Sequence, residues 1–156
     1  MKKIFAAALA AALALLGSVS VLAFDHQAMF EGMDADYYTR FQGQDISINV
    51  YNWGEYISNG EDDSLDVNKA FEELTGIKVN YTFYATNEEL YAKLRGGGAS
   101  YDVVIPSDYM IGRMISENML EPIDQQQIPN LAYMDPNVMG MDFDADNRYS
   151  IPYTWG

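Results

Sequence analysis

The 156-residue chain contains no cysteine and a single histidine, His26. The first absence excludes disulfides, thiolate zinc sites, cysteine nucleophiles and a lipid-modified N-terminal cysteine. The second leaves little from which to build a Ser-His-Asp triad or a multi-histidine metal centre. Basic residues are also scarce, 9 Lys+Arg against 23 Asp+Glu, for a formal net charge of −14. A surface of that sign repels phosphate backbones and anionic headgroups, so no nucleic acid and no anionic bilayer is expected as a partner. With 49% hydrophobic and 13% aromatic residues the chain is a folding one, and its length allows one domain.

Long apolar runs are confined to the N-terminus. Lys2 and Lys3 precede an alanine- and leucine-rich stretch over residues 4–16, and Val21-Leu22-Ala23 offers small residues at cleavage positions. The run falls short of the ~20 residues a bilayer span needs. Residues 1–23 therefore read as a secretory signal peptide, which places the product in the periplasm or otherwise outside the cytoplasm. Cleavage removes two basic residues and no acidic one, so the exported chain is more acidic still.

Residues 24–45 show no clean period and read as a tether or short helix. From residue 46 a repeating order begins. Ile46, Ile48 and Val50 alternate with polar residues, which predicts a strand ending near Asn52-Trp53-Gly54. After a turn-rich acidic loop at 59–64, Asp66 is positioned to cap a helix with Val67, Ala70, Phe71 and Leu74 on one face. Gly76 stands at its left-handed stop. Residues 77–84 alternate again. Thr86 and Glu89 form a capping box for a second helix, with a Glu89–Lys93 pair along it, Leu90 and Leu94 inward, and Gly96-Gly97-Gly98 ending it. Residues 101–106 predict a third strand, and Ser107 a cap for a third helix facing inward through Ile111, Met114 and Ile115. Beyond Glu117 four prolines loosen the pattern until residues 149–153 look extended. Strand and helix alternating three times predict an α/β fold, a mostly parallel sheet with helices on both faces.

In such sheets ligands sit at the carboxyl edge of the strands. Two loops leave that edge with unusual content, Trp53-Gly54-Glu55-Tyr56 and Ser107-Asp108-Tyr109. They put three aromatic rings, two carboxylates and a hydroxyl on one rim. Ring faces attract ammonium groups and cover methylenes, and a carboxylate pairs with the cation, so the set suits an aliphatic amine. From the residues alone, ordinary packing at a strand end is the simpler account of Trp53 and Tyr56. The helix start at Ser107 could instead hold an anion, although Asp108 in its first turn opposes that. Three other features read as structural. Gly96-Gly97-Gly98 follows a helix where a phosphate loop would precede one. Glu88-Glu89 sits in a helix first turn, where the dipole favours acids. Asp142-Phe143-Asp144-Ala145-Asp146 begins like a calcium loop, but Asn147 and Tyr153 replace the required glycine and glutamate, which leaves a solvated acidic turn. No metal, cofactor or catalytic residue is expected.

Several long segments, in order, resemble the substrate-binding proteins of bacterial spermidine/putrescine ABC importers. They are Val50-Tyr51-Asn52-Trp53-Gly54-Glu55-Tyr56-Ile57, residues 71–81 with Leu74-Thr75-Gly76-Ile77-Lys78-Val79 inside, and Asn87-Glu88-Glu89-Leu90-Tyr91-Ala92-Lys93-Leu94. Tyr101-Asp102-Val103-Val104-Ile105-Pro106-Ser107-Asp108-Tyr109, Pro129-Asn130-Leu131 and residues 149–156 continue the series. The resemblance covers residues 46–156 and implies two α/β lobes that close on a polyamine and deliver it to permease subunits. It implies that Trp53 and Tyr56 line the ligand, that Glu55 is a nearby acidic contact, and that Ser107 and Tyr109 contact it from the third strand end. The loop at 59–66 departs from the pattern by its length. On this reading residues 46–148 are a first lobe, residues 149–156 begin a crossover, and the sequence is a fragment that stops before a second lobe. Two rival functions are a receptor of this fold for an anion or other small solute, and a secreted carbohydrate-active enzyme using paired carboxylates.

Overall fold

A computed structural model describes residues 34–154; the predicted signal at 1–23, the first part of the tether and Trp155-Gly156 lie outside the described residues. A short helix α1 (Ala35–Thr39) leads into strand β1 (Ile46–Trp53), helix α2 (Val67–Thr75), strand β2 (Ile77–Tyr84), helix α3 (Asn87–Arg95), strand β3 (Val103–Val104) and helix α4 (Asp108–Ser116). Short 3-10 turns at Gln125–Gln127, Pro129–Tyr133 and Pro136–Val138 follow. The sheet order is β2-β1-β3, and both pairings are parallel. Among the described residues no helix is long and apolar enough to cross a membrane.

β1 and β2 pair without a slip from Ile46 opposite Ile77 to Trp53 opposite Tyr84. Alternation therefore sends Tyr51 and Trp53 to one face with Thr82 and Tyr84, and Val50 and Asn52 to the other with Tyr81 and Phe83. The first face carries the core, in which Tyr51, Leu90, Met110 and Met114 are all but completely buried together with Tyr84 and Tyr91. α3 and α4 cover it. Burying a side chain such as Leu90 stabilises the fold by roughly 2 kcal/mol. α2 covers the opposite face through buried Ala70, and its Glu72 carboxylate accepts the Val79 amide at 2.7 Å.

The predicted ends are where the chemistry puts them. Asp66 accepts the Lys69 amide at 3.0 Å, and Thr86 accepts that of Glu89 at 3.1 Å. Gly76 lies at φ +76°, and a Cβ there would approach the Gln42 Cα to 2.9 Å, so conformation and crowding both demand glycine. Gln42 itself donates to the Glu73 and Leu74 carbonyls at the open end of α2, which docks the predicted tether on the domain.

Five expectations are corrected. The third strand is a ladder of only Val103–Val104, because the Asn49 amide donates to the Asp102 carboxylate at 2.7 Å and Pro106 has no amide to continue. α4 points inward through Met110 and Met114, with Ile111 and Ile115 half-buried, so its buried stripe starts one residue earlier than predicted. Glu89 does not pair with Lys93. Its carboxylate closes the capping box on the Ala85 amide at 3.0 Å, while the Lys93 ammonium lies over the stacked rings of Tyr51 and Tyr101, 4.6 and 5.4 Å from their centroids. Residues 149–153 join no ladder. Finally, the acidic turn is not solvated at Asp144. That buried carboxylate accepts from the amides of Arg148, Tyr149 and Ser150 and from the Ser150 hydroxyl, at 2.8 to 3.0 Å. It folds the chain back on itself, as buried charge requires.

Candidate functional site

The carboxyl edge of the sheet gathers the predicted residues on two neighbouring strand ends. At the end of β1, Asn52 is 1% exposed; its Oδ1 accepts the Trp53 amide at 2.7 Å and its Nδ2 donates to the Tyr81 hydroxyl at 2.7 Å. This fixes the backbone from which Trp53 projects. The indole is half-buried, tilted against Tyr84 at 4.7 Å between ring centroids and against Tyr56 at 5.9 Å. Tyr56 keeps 43% of its surface exposed, and Glu55 is exposed beside it. The Tyr153 hydroxyl donates to the Tyr56 carbonyl, so the segment at 149–154 holds the same loop from outside. A depression of about 560 Å³ opens here, lined by Glu55, Tyr56, Ile57, Ser58, Val67, Tyr153 and Thr154.

The end of β3 is held differently. Ser107 precedes α4 in cap position, yet its side chain makes no capping bond, contrary to expectation. Asn87, 5% exposed at the start of α3, claims it instead: the amide Nδ2 donates to the Ser107 hydroxyl at 3.0 Å, and Oδ1 accepts the Ser107 backbone amide at 3.1 Å. Asp108 turns its carboxylate to the Tyr109 amide at 2.6 Å, serving the helix start. The Tyr109 ring is 56% exposed, and its hydroxyl donates to Glu88 at 3.2 Å.

Tyr84 joins the two ends. Its ring supports Trp53, and its buried hydroxyl donates to the Ile105 carbonyl at 2.6 Å, two residues before Ser107. Burial pushes this phenol well above its ordinary range, and the neighbouring phenols of Tyr51, Tyr56, Tyr109 and Tyr81 push it further, so it stays a neutral donor. Tyr84 lies within electrostatic reach of both Tyr56 and Tyr109. Trp53, Glu55 and Tyr56 thus form one group, and Ser107 and Tyr109 a second beside it; none of Trp53, Ser107 or Tyr109 lines the depression. Sequence reasoning missed Tyr84 and Asn87. Tyr84 ends an alternating strand and resembles any core tyrosine, while Asn87 has no local pattern at all.

The rim can therefore offer π-faces and carboxylate oxygens to a cation with an apolar stem. Among the described residues it is an open wall. The bacterial extracellular solute-binding protein family matches residues 58–156. The chain belongs to that family. The spermidine/putrescine-binding periplasmic protein of Escherichia coli is 40% identical over 111 residues, and a putrescine/cadaverine-binding protein of Pseudomonas aeruginosa is 34% identical over 106. Among solved structures, a spermidine/putrescine ABC transporter protein from Listeria monocytogenes aligns at TM-score 0.65 and 43% identity, over 70% of this chain and 32% of that one. The spermidine/putrescine transporter substrate-binding protein of Streptococcus pneumoniae aligns at TM-score 0.64 and 38% identity, over 69% and 32%. The chain spans about 30% of the length of the curated relatives it matches, and 70% of the chain lies within the E. coli alignment.

Proposed function

We propose that residues 46–148 form the first-lobe wall of an extracytoplasmic receptor that captures polyamines, spermidine or putrescine, and presents them to ABC permease subunits without chemical change. Residues 1–23 act as its export signal, residues 24–45 as a tether that docks on α2, and residues 149–156 as the start of a crossover. The observation that carries the reading is the tilted pair of Trp53 and Tyr56 beside the exposed Glu55 carboxylate. Indole and phenol faces shield the methylenes and attract the ammonium, and the carboxylate neutralises it. Ser107 and Tyr109 add a hydroxyl pair from the adjoining strand end. The names of the relatives support the ligand class. The acidic surface supports a cationic ligand and speaks against an anion receptor, as does Asp108 in the first turn of the helix that starts at Ser107.

A carbohydrate-active enzyme would need two free carboxylates facing each other across a cleft, and Asp108 spends one oxygen on the Tyr109 amide. The test is an NMR titration of the 156-residue chain with spermidine, putrescine, phosphate, sulfate and glucose at matched ionic strength. Amide shifts at residues 53–56 and 107–109 with the two amines alone are expected. Equal response to an anion or a sugar, or no response to amines, contradicts the reading.

A further inference from the structure

Residues 148–154 belong to no helix or strand, yet the chain is firmly fastened there. Buried Asp144 accepts the Arg148 amide on Oδ1 and, on Oδ2, the Tyr149 amide, the Ser150 amide and the Ser150 hydroxyl, so donors from three consecutive residues converge on one carboxylate. The turn that carries it is pinned in its own right. Asn147, buried and left-handed at φ 48°, accepts the Gly140 amide on Oδ1 at 2.7 Å. Gln125 donates to the Asp146 and Asn147 carbonyls at 2.8 and 2.9 Å, and the Ile123 amide donates to the Arg148 carbonyl at 2.7 Å. These bonds tie the turn to the chain leaving α4, where Met119 and Leu120 pack against the core. From Ser150 only Ile151 and Pro152 intervene before Tyr153, and the proline fixes its own φ. The Tyr153 hydroxyl then donates to the Tyr56 carbonyl, and both residues line the depression beside Glu55.

We infer that Asp144 is a positioning residue of the rim: by orienting residues 148–150 it sets where Tyr153 meets the Tyr56 carbonyl, and so how the Tyr56 ring is presented to an amine. This rests on the reading of the rim as an amine site. Asp144 lines no part of the depression, so its effect passes through Tyr153. Residues 54–57 form neither helix nor strand, and a ring held in place before the ligand arrives loses less side-chain freedom when it binds. A carboxylate suits the task because both of its oxygens accept. An asparagine of nearly the same size would turn an amide N–H2 group towards donors, which opens the turn without removing bulk.

The experiment follows the Tyr56 carbonyl chemical shift by NMR, and the spermidine affinity, in the full chain as wild type, Asp144→Asn, Tyr153→Phe, the double variant and Leu94→Ala. Leu94 packs against the core from the last turn of α3, and Leu94→Ala controls for loss of stability alone. Asp144→Asn and Tyr153→Phe are expected to move the Tyr56 carbonyl signal upfield, as its donor leaves, and each to weaken spermidine roughly two- to threefold, with no further loss in the double variant. Leu94→Ala should lower the melting temperature and leave both the signal and the affinity in place. Ser150→Ala removes a single donor and carries the test if Asp144→Asn does not fold; it should move the signal in the same direction by less. An unmoved carbonyl in Asp144→Asn or Ser150→Ala, losses that add in the double variant, or the same shift in Leu94→Ala overturns the inference. If spermidine binds and Tyr153→Phe weakens it while Asp144→Asn does not, the inference fails and the amine site stands; if no amine binds the wild type, both fail.

Discussion

The two strand ends that make the rim each rest on a buried asparagine and differ in what surrounds it. At the end of β1, Asn52 accepts the Trp53 amide and donates to the Tyr81 hydroxyl, and rings complete the support: Trp53 leans on Tyr84 and Tyr56, and the Tyr153 hydroxyl donates to the Tyr56 carbonyl. The end of β3 is held by a buried amide, Asn87, that takes both the hydroxyl and the backbone amide of Ser107. Ring packing is broad and tolerates small shifts, so it presents a surface. A bidentate amide fixes one position, so it presents directed groups. The contrast matches the chemistry proposed for each side, methylene, π-face and carboxylate contact from Trp53, Tyr56 and Glu55, hydroxyl contact from Ser107 and Tyr109.

Removing the shared support should collapse the distinction. Tyr84→Ala takes away the ring under Trp53 and the bond to Ile105, and should cost roughly 3–5 kcal/mol by denaturant unfolding, whereas Tyr84→Phe should cost about 1 kcal/mol by losing the hydroxyl alone. A Tyr84→Ala chain as stable as the wild type would show that the β1 end does not rest on this ring. Asn87→Ala comes next. It leaves the partly buried Ser107 amide without its acceptor, for about 1–3 kcal/mol by the same measurement. Losses below about 0.5 kcal/mol would mean that water replaces the amide and the β3 end is no tighter than the β1 end.

A smaller effect separates the two acids that flank these ends. Glu55→Gln should weaken spermidine binding severalfold with little change in melting temperature, while Asp108→Asn should lower the melting temperature and barely alter binding, because its carboxylate serves the Tyr109 amide. Equal effects on binding would erase the assignment. The smallest effect asks whether an exposed polar clamp behaves like the buried one. At the foot of α3 and α4 the Tyr91 hydroxyl donates to Glu117 at 2.7 Å and the Arg113 guanidinium lies 3.1 Å from it. The phenol first, and the guanidinium after it, hold this carboxyl below its ordinary value of 4.5. A carboxyl lowered by folding contributes stability that is present above its unfolded value and lost as pH falls through the folded one. Glu117→Gln should therefore be slightly less stable than the wild type at neutral pH and lose less on acidification below about pH 4.5, so that the two stability curves converge at low pH. Parallel wild-type and variant curves across that range would show that the pair is inert.

The strands, the helix caps and the left-handed Gly76 were legible because each is a local rule: alternation, a short polar side chain before a helix, a glycine after one. The parallel sheet followed from their order. The β1 rim was legible too, since two aromatics and an acid after a strand are conspicuous. The polar clamps were not. Asn87 and Ser107 are 20 residues apart and meet only because α3 carries the chain back over the sheet. Asp144 hides its role in the same way, for three aspartates in five residues look solvated until the chain turns and aims its amides at one of them. Lys93 forsakes Glu89 because the capping box uses that carboxylate and the stacked rings of Tyr51 and Tyr101 lie within reach.

The central claim is that the Trp53 ring is the ligand surface of the rim. It is tested most directly by titrating spermidine into the wild type, Trp53→Phe and Trp53→Ala and comparing dissociation constants under one salt condition. Desolvated contact between an ammonium and an indole contributes on the order of 1–2 kcal/mol, so Trp53→Ala should weaken binding about tenfold and Trp53→Phe by less. Unchanged affinity in Trp53→Ala, with the variant folded, would contradict the account.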